Sequence, residues 1–437
     1  MKLSLISSAL FLAGYTFAAP FRNANDIAPL YTNPETEAIP DSYIVVLKDH
    51  VKEDIMIHHC GWVNTIHAED TTSSSFLDPS VAAGIKHTFT LPKATGYSGR
   101  FTERTLERIR SSPDVAYVER DSMVYASELQ RNAPWGLARI SHREPLSLKT
   151  FSKYSYDSEG GKGVKVYVID TGINIAHVDL EGRAEWGATI PDNDEDEDGN
   201  GHGSHCAGTI AGKRYGVAKL AQPVAVKVLR SSGSGTMSDV VKGVDWAVEQ
   251  HKEDEAKAQA VGKKFKGSVA NMSLGGGRSR ALDAAVDGAV DEGVAFAVAA
   301  GNDNRDACDY SPAASVNAVT VGASTVDDER AYFSNYGSCV DVFAPGLNIQ
   351  SIYRGSKYAV ATLSGTSMAS PHVAGQLAVL LSLSEEPLTP KEAKEKLLEM
   401  ATKDVFATLP KDTANLLIFN GAESDDYTSF NGDTYQY

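Results

Sequence analysis

The chain has 437 residues, of which 42% are hydrophobic, so it is long enough for one large domain with a substantial core and an accessory unit. Its formal net charge of −16 argues against nucleic acid as a partner. The four cysteines leave the disulfide pairing open.

The N-terminus has the pattern of a secretory signal peptide. Lys2 precedes an apolar run from Leu3 to Leu12, and Thr16 and Ala18 place small residues where a signal peptidase cleaves. We therefore predict a signal peptide over 1–19. No other segment has the roughly 20 apolar residues that span a bilayer, so no membrane span is expected.

A small α+β unit is predicted next. Residues 20–40 have the composition of a linker. Strand patterns then alternate with helical patterns, and their ranges are 42–47 (strand), 55–66 (helix), 85–91 (strand), 102–110 (helix) and 115–125 (strand).

From about residue 160 the pattern changes to that of an α/β domain. The buried-strand candidates are Val164–Asp170, Val224–Leu229, Val269–Leu274, Val294–Ala300 and Ala318–Gly322. Helical runs at Ser238–Gln250 and Arg280–Glu292 lie between them. This alternation predicts a mainly parallel, covered sheet, in which sites form at the carboxyl ends of the strands.

Two polar segments are predicted to lie on the surface. The acidic run at 192–198 is typical of a solvated loop, with a nearby cation site as the alternative. Residues 421–437 are polar and aperiodic, which predicts a mobile tail.

Four polar side chains stand where strands end or helices begin. Asp170 and Asn302 follow apolar strands, His202 lies in a glycine-rich turn before a helical run, and Ser367 begins a helical run. Each has an ordinary alternative: Ser367 could be a helix N-cap, Asp170 and Asn302 loop residues, and His202 or His205 a core histidine.

Together the four residue types suit nucleophilic catalysis. A serine hydroxyl needs a base, which His202 can supply, and Asp170 can hold the imidazole in the correct tautomer. The amide of Asn302 and the backbone N–H of Ser367 can stabilise an oxyanion, and the positive end of the helix dipole lies beside it.

The motifs around these residues resemble those of the subtilisin-like serine proteases, and the resemblance covers roughly 130–420. They are VIDTG, GHGSHCAG, SLGGG, AAGN and GTSMASPHVAG, in the chain order Asp, His, Ser. GHGSHCAG and NAPWGLARISHR resemble the proteinase K group and its fungal vacuolar (cerevisin-type) members more closely.

The resemblance implies an α/β, subtilisin-like three-layer sandwich over 127–420 with endopeptidase activity. It implies Asp170, His202 and Ser367 as the catalytic triad and Asn302 in the oxyanion hole. The walls of the substrate cleft are expected to be Ser273, Leu274, Gly275, Gly276, Ala299, Ala300 and Gly301. These segments carry no charge, which predicts broad specificity and a P1 pocket that accepts aromatic and aliphatic residues.

The region before the catalytic domain resembles the inhibitory propeptide of this family. We expect a propeptide over 20–126 whose inhibitor-like domain covers about 42–125, and a last strand suited to the substrate cleft. Cleavage between about 123 and 130 would release it, so the chain is expected to be a zymogen that processes itself.

The resemblance also bears on the cysteines and on metal. It implies a disulfide between Cys308 and Cys339, and a buried free thiol at Cys206 that does no chemistry. No cofactor is required, but a structural calcium ion is implied on Asp341 and the main-chain carbonyls of Val316 and Ala318.

Asn271 begins a formal glycosylation sequon, yet it lies in a predicted buried strand and is expected to carry no glycan. The expected partners are protein and peptide substrates and the propeptide, and a monomer is expected. The vacuole lumen is the expected location, with the extracellular space as the alternative.

The sequence is less consistent with two other classes of function. A metalloprotease would need HExxH and an α/β-hydrolase would need GxSxG, and the sequence contains neither at the expected residues. A non-catalytic binding protein on a protease scaffold would usually lack a triad or oxyanion residue, and all four are present.

Overall fold

The computed structural model describes residues 27–32, 38–72, 84–91, 93–122 and 127–422. The chain divides into two compact units, residues 1–124 and 125–437. The predicted signal peptide and nearly all of the predicted tail lie outside the described residues.

The first unit is the predicted α+β domain. Its elements are β1 (Leu30–Tyr31), β2 (Ala38–Leu47), α1 (Glu53–Thr72), β3 (Gly84–Leu91), β4 (Ala94–Arg100), α2 (Glu103–Arg110) and β5 (Val115–Ser122). Within the described ranges the strands form one sheet in the order β1-β5-β2-β4-β3. Its core includes Val45, Val63, Phe101 and Val118, each of which is fully buried.

The second unit alternates strands and helices, as its sequence pattern predicts. Its first elements are β6 (Ser127–Arg131), α3 (Trp135–Ile140), β7 (Lys153–Asp157), β8 (Lys165–Asp170), β9 (Glu185–Thr189), α4 (His202–Ala211), β10 (Gln222–Lys227), α5 (Met237–Ala260), β11 (Ser268–Met272) and β12 (Gly276–Gly277). They are followed by α6 (Arg280–Asp291), β13 (Val294–Ala299), β14 (Tyr310–Ser311), β15 (Val319–Ser324), β16 (Val342–Pro345), β17 (Ile349–Ile352), β18 (Val360–Leu363), α7 (Thr366–Leu383), α8 (Pro390–Met400), β19 (Thr402–Lys403) and β20 (Leu416–Leu417).

The main sheet of this unit is almost entirely parallel. In the described part of the chain its order is β19-β20-β16-β15-β13-β11-β8-β10-β9, and only β19 runs antiparallel to its neighbour. The carboxyl ends of β8, β10, β11 and β13 therefore meet at one edge of the sheet, where sites form in α/β folds.

The side chains of β8 point alternately to the two helical layers that cover the sheet. Val166 and Val168 pack with residues of α4, α7 and α8 on one face of the sheet. Tyr167 and Ile169 pack with residues of α5 and α6 on the other face. Because successive side chains of a strand point to opposite faces, one buried strand serves two cores.

The structure differs from the sequence prediction in extent at several elements. Helix α5 continues ten residues beyond Gln250, through a segment rich in Ala, Glu, Lys and Gln that favours helix without an apolar stripe. Strand β10 ends at Lys227, two residues before the predicted end. Among the described helices, none is both long enough and apolar enough to cross a bilayer.

Candidate active site

The four predicted site residues lie at the expected ends of their elements. Asp170 is the last residue of β8, and His202 is the first residue of α4. Asn302 follows β13 by three residues, and Ser367 is the second residue of α7. Helices α4 and α7 pack against each other, and Cys206 Sγ in α4 lies 3.4 Å from the carbonyl oxygen of Ser367 in α7.

Asp170 and His202 form a hydrogen-bonded pair. Nδ1 of His202 lies 2.8 and 2.9 Å from the two carboxylate oxygens of Asp170, so Nδ1 carries the proton and donates it. The Asp170 side chain is fully buried, whereas 27% of the His202 side chain is exposed. The pair therefore leaves Nε2, the nitrogen on the far side of the ring, available as a base.

The electrostatics of the pair favour a protonated His202. Burial alone lowers the pKa of His202, but the charge and hydrogen bond of Asp170, with a smaller contribution from Asp198, raise it above its ordinary value. A base with this pKa accepts a proton readily near neutral pH.

Asp198 organises the turn that presents His202, and the sequence prediction of a solvated loop is wrong for this residue. Its carboxylate is 8% exposed and accepts hydrogen bonds from Thr171 Oγ1 at 2.8 Å, Gly201 N at 2.7 Å and Ser204 N at 2.9 Å. It thus joins the loop after Asp170 to the first turn of α4. The sequence does not distinguish Asp198 from the other acidic residues of this run, and most of those are exposed.

Ser367 is not a helix N-cap. The capping position of α7 is Gly365, and Ser367 lies inside the first turn. Its hydroxyl instead donates to the carbonyl oxygen of Ser273 at 3.1 Å. As one of the first four residues of the helix region, Ser367 also has a backbone N–H with no acceptor in the preceding turn.

Buried hydrogen bonds connect the Ser367 turn to the end of β11. Ser273 Oγ donates to the carbonyl oxygen of Ser367 at 2.8 Å and accepts from Asn271 Nδ2 at 3.0 Å. The Oδ1 atom of Asn271 accepts from Ser370 Oγ at 2.8 Å. Asn271 is fully buried with its side-chain nitrogen engaged, so its sequon offers no room for a glycan.

The side chain of Asn302 has a defined orientation. Its Oδ1 accepts from Thr366 N at 2.8 Å and from Thr366 Oγ1 at 2.9 Å. Because a backbone N–H can only donate, the atom facing it must be the oxygen. The NH₂ group of Asn302 therefore points away from Thr366 N and lies beside Gly365, the residue that precedes α7.

Cys206 lies between the Asp170–His202 pair and the Ser367 turn. Its Sγ is 3.4 Å from the carbonyl oxygen of Ser367, and it is within 4.8 Å of a carboxylate oxygen of Asp170 and a ring nitrogen of His202. This three-residue group has the donor types of a zinc site, but burial raises the pKa of the Cys206 thiol well above its ordinary value. A protonated thiol is a poor zinc ligand, because the metal binds the thiolate.

His205, three residues further along α4, takes no part in this group. It is fully buried and donates from Nε2 to the carbonyl oxygen of Ile349 at 2.9 Å. Burial lowers its pKa to about 4, so it stays neutral over the pH range in which His202 titrates.

The predicted cleft walls differ in their exposure. Leu274 and Gly276 are half-buried and Gly275 is exposed, while Ser273 is buried against Ser367. On the other wall, Ala299 is 6% exposed and Gly301 is half-buried with φ = 102°.

Ala300, also predicted in that wall, lies behind the surface. It is fully buried, its N–H donates to the carbonyl oxygen of Val321, and its own carbonyl accepts from Asn335 Nδ2. Because Ala300 is fully buried, it does not face a bound peptide, and it can shape the wall only through Ala299 and Gly301.

A further exposed segment near the site was missed by the sequence analysis. Residues 231–236 follow the carboxyl end of β10 and are exposed. The carbonyl of Ser231 accepts from Asn200 Nδ2 at 3.1 Å, close to His202, while Met237 reaches Gly276. The sequence signal for this segment is its run of Ser and Gly shortly after a buried strand, because small residues leave the backbone accessible to a peptide.

The predicted pair of Cys308 and Cys339 forms a disulfide, with a Cα–Cα distance of 5.3 Å. Cys206 is a free, buried cysteine, as the resemblance implied.

The three oxygens predicted to bind calcium do converge, but around an ammonium group. Lys394 Nζ lies 2.6 Å from the carbonyl oxygen of Ala318, 3.0 Å from Asp341 Oδ2 and 3.3 Å from the carbonyl oxygen of Val316. Since a cation already faces all three oxygens, these residues do not fit a calcium ion in this arrangement.

Comparisons with known proteins identify the families to which the two parts of the chain are similar. Residues 161–419 match the subtilase family (Peptidase_S8), and residues 42–127 match the peptidase inhibitor I9 family. The chain is 57% identical to the subtilisin-like serine protease Pen c 2 of Penicillium citrinum, over 92% of this chain and 93% of that protein.

Two further relatives support the same assignment. Alkaline protease 2 of Aspergillus fumigatus is 56% identical, over 92% of this chain and 86% of that protein. The crystal structure of a cold-adapted subtilisin-like serine proteinase matches with a TM-score of 0.59 and 46% identity, covering 66% of this chain and 98% of its own. The chain therefore belongs to the subtilase family and is a subtilisin-like serine endopeptidase made with an I9 inhibitor domain.

Proposed function

We propose that Ser367 is the nucleophile of this endopeptidase, with His202 as its general base. The observation that carries the proposal is the buried Asp170 carboxylate bonded to Nδ1 of His202, which leaves Nε2 to accept a proton. In the structure the Ser367 hydroxyl donates to the carbonyl oxygen of Ser273. Before the proton transfer, it must turn and donate to Nε2 of His202 instead. The serine oxygen then attacks the peptide carbonyl, and the C–N bond breaks as His202 returns the proton to the leaving amine. Water, activated by His202 in the same way, then hydrolyses the acyl-enzyme on Ser367 and releases the acid product.

The oxyanion of the tetrahedral intermediate would be bound by two donors. These are the NH₂ group of Asn302, oriented by the two bonds to its Oδ1, and the backbone N–H of Ser367. The start of α7 adds its positive dipole end at the same place. Fixed donors of this kind act where charge develops and need no reorganisation during the reaction.

Protein substrates are proposed to bind as extended peptides between segments 231–236 and 273–276. Both segments are rich in glycine and serine, and neither carries a charge. Uncharged, backbone-lined walls support broad specificity, with aromatic or aliphatic residues at P1. Measured cleavage rates on a peptide library that varies P1 would test this preference.

The I9 domain supports synthesis as a zymogen, since this family inhibits peptidases. We propose that the propeptide covers residues 20–126, aids folding of the catalytic domain, and is removed by self-cleavage between about 123 and 130. N-terminal sequencing of the active form tests this, and the Ser367→Ala variant should remain uncleaved.

The pattern of residues 1–19 supports entry into the secretory pathway. We propose the vacuole lumen as the destination, with the extracellular space as the alternative, and a monomeric active form. Fractionation of cells and medium, followed by size-exclusion chromatography, distinguishes these alternatives.

The catalytic proposal is tested most simply with casein. The processed protein should hydrolyse casein, and Ser367→Ala should abolish the activity while leaving the thermal unfolding temperature nearly unchanged. A processed wild-type protein that binds casein without cutting it would favour a binding protein on a protease scaffold.

A further inference from the structure

Lys394 makes an unusual set of contacts for a lysine on a helix surface. Its three nearest oxygens belong to Ala318, Asp341 and Val316, at 2.6, 3.0 and 3.3 Å from Nζ. An ammonium group has three donors, so each has one acceptor here. The Lys394 side chain is 18% exposed and that of Asp341 is 23% exposed, so water screens the pair only partly.

The carboxylate of this group is held by the sheet. Asp341 Oδ2 also accepts from Thr320 N at 2.8 Å, and the backbone N–H of Asp341 donates to the carbonyl oxygen of Thr320 at 2.9 Å. The side chain of Asp341 is mostly buried, with 23% of it exposed. A mostly buried carboxylate without a cation beside it would be destabilising.

The helix that carries Lys394 is firmly placed. Thr389 and Glu392 form a reciprocal capping box at the start of α8, and Pro390 is its first residue. Ala393 and Leu397 are buried in the core on either side of Lys394 in sequence. The ammonium is thus delivered to the three oxygens by a rigid element rather than by a mobile loop.

Both the charge and the geometry of this position suit an ammonium group better than a calcium ion. Calcium takes six to eight oxygens at about 2.3–2.6 Å, whereas this group supplies one carboxylate and two carbonyls. A single positive charge balances the one carboxylate, while a calcium ion would leave an excess positive charge. A second cation beside the ammonium would be repelled.

We propose that Lys394 takes the place of a structural calcium ion, joining α8 to the 316–318 loop and to Asp341. This part of the fold is then stabilised by a side chain and does not depend on the calcium concentration. When the ammonium is removed, calcium should bind these oxygens and stabilise this part of the fold in place of Lys394.

The test compares Lys394→Met with Lys391→Met in the full chain, with Ser367→Ala present in both to prevent self-digestion. Methionine keeps most of the apolar stem of lysine and removes its charge. Lys391 lies on the same helix, is largely exposed, and within the described part of the chain pairs only with Glu395, at 3.9 Å, so it is the matched control. Thermal unfolding temperatures are measured in EDTA and in millimolar calcium chloride.

In EDTA, Lys394→Met should unfold about 5 °C below Lys391→Met, because it leaves a partly buried carboxylate without a cation. Calcium should recover part of that loss in Lys394→Met and should add no comparable gain in Lys391→Met. Equal unfolding temperatures for the two variants in EDTA, or the same calcium gain in both, would overturn the proposal.

A second measurement does not require any Lys394 variant to fold. Wild-type and Asp341→Asn chains, again with Ser367→Ala, should show equal calcium-induced shifts in unfolding temperature, because calcium does not use this site while Lys394 is present. A larger calcium shift in the wild type than in Asp341→Asn would show that calcium binds at Asp341 despite Lys394, and would refute the proposal.

Discussion

Ser273 and Ser367 are joined by hydrogen bonds in both directions. The hydroxyl of Ser367 donates to the carbonyl oxygen of Ser273 at 3.1 Å, and the hydroxyl of Ser273 donates to the carbonyl oxygen of Ser367 at 2.8 Å. This pair fixes the first turn of α7 against the end of β11. The proposed nucleophile therefore belongs to the same buried network as the cleft wall.

Ser273→Ala should lower stability more than it lowers turnover. The change leaves Asn271 Nδ2 buried without its acceptor, at a cost of about 1–3 kcal/mol, while the backbone carbonyl that Ser367 uses is retained. Chemical unfolding measures the loss in stability, and casein hydrolysis measures kcat.

Ser370→Ala is the matched control, because it removes a hydroxyl from the other side of Asn271 without touching Ser367. It should destabilise the protein to a similar degree and leave kcat unchanged. A Ser273→Ala protein as stable as the wild type would contradict the role assigned to this network.

Asn302→Ala should reduce kcat by about 100- to 1000-fold with little change in KM. That range is the one found when an oxyanion-hole donor is removed from subtilisin, a relative of this protein. An interaction made only in the transition state affects turnover and not substrate affinity. Steady-state kinetics on a peptide amide measures both constants, and equal effects on the two would contradict the role of Asn302.

The pH profile should have an acidic limb with a midpoint above 6.5. His202 must be neutral to act as a base, and Asp170 and Asp198 raise its pKa, so activity is lost as the pH falls through the raised pKa. The profile of kcat/KM, which reports the free enzyme, is the appropriate measurement. A midpoint below 6.5 would contradict the predicted shift.

The same shift contributes to stability with a defined sign. A pKa raised by folding stabilises the folded state fully below the unfolded value of 6.5, and the contribution disappears as the pH rises through the folded value. The His202 contribution to the free energy of unfolding should therefore be larger at pH 5 than at pH 9. Comparing wild type with His202→Ala at the two pH values isolates it.

A mercurial should inhibit the protease through Cys206. The thiol lies beside the carboxylate of Asp170 and the imidazole of His202, so a bulky mercury adduct would displace the imidazole. Cys206→Ala should stay active and become resistant. Full wild-type activity after stoichiometric mercury incorporation at Cys206, measured by mass spectrometry, would contradict this prediction.

The sequence predicted the parts of the fold that rest on local periodicity. Apolar strands such as Val164–Asp170 and Val294–Ala300 stand out because both faces are buried, and a site residue lies at or shortly after the end of each. Long motifs then predicted the roles of His202 and Ser367. The packing of α4 on α7, which brings the motifs together, is tertiary and has no local signal.

Other features depend on partners far away in the chain. Lys394 lies 53 residues from Asp341, and nothing in the local sequence distinguishes it from the exposed lysines of α8. Asp198 is one acidic residue among several, and only its burial beneath the His202 turn separates it from them. The C-terminal part of α5 was missed because it is solvated and lacks an apolar stripe.

The most direct test of the account labels the processed protein with a serine-directed fluorophosphonate and maps the adduct by mass spectrometry. A single adduct on Ser367 is predicted, with labelling slowed by several orders of magnitude in His202→Ala and unaffected by a zinc chelator. Labelling at another serine, or at Ser367 with an unchanged rate in His202→Ala, would contradict the assignment of nucleophile and base.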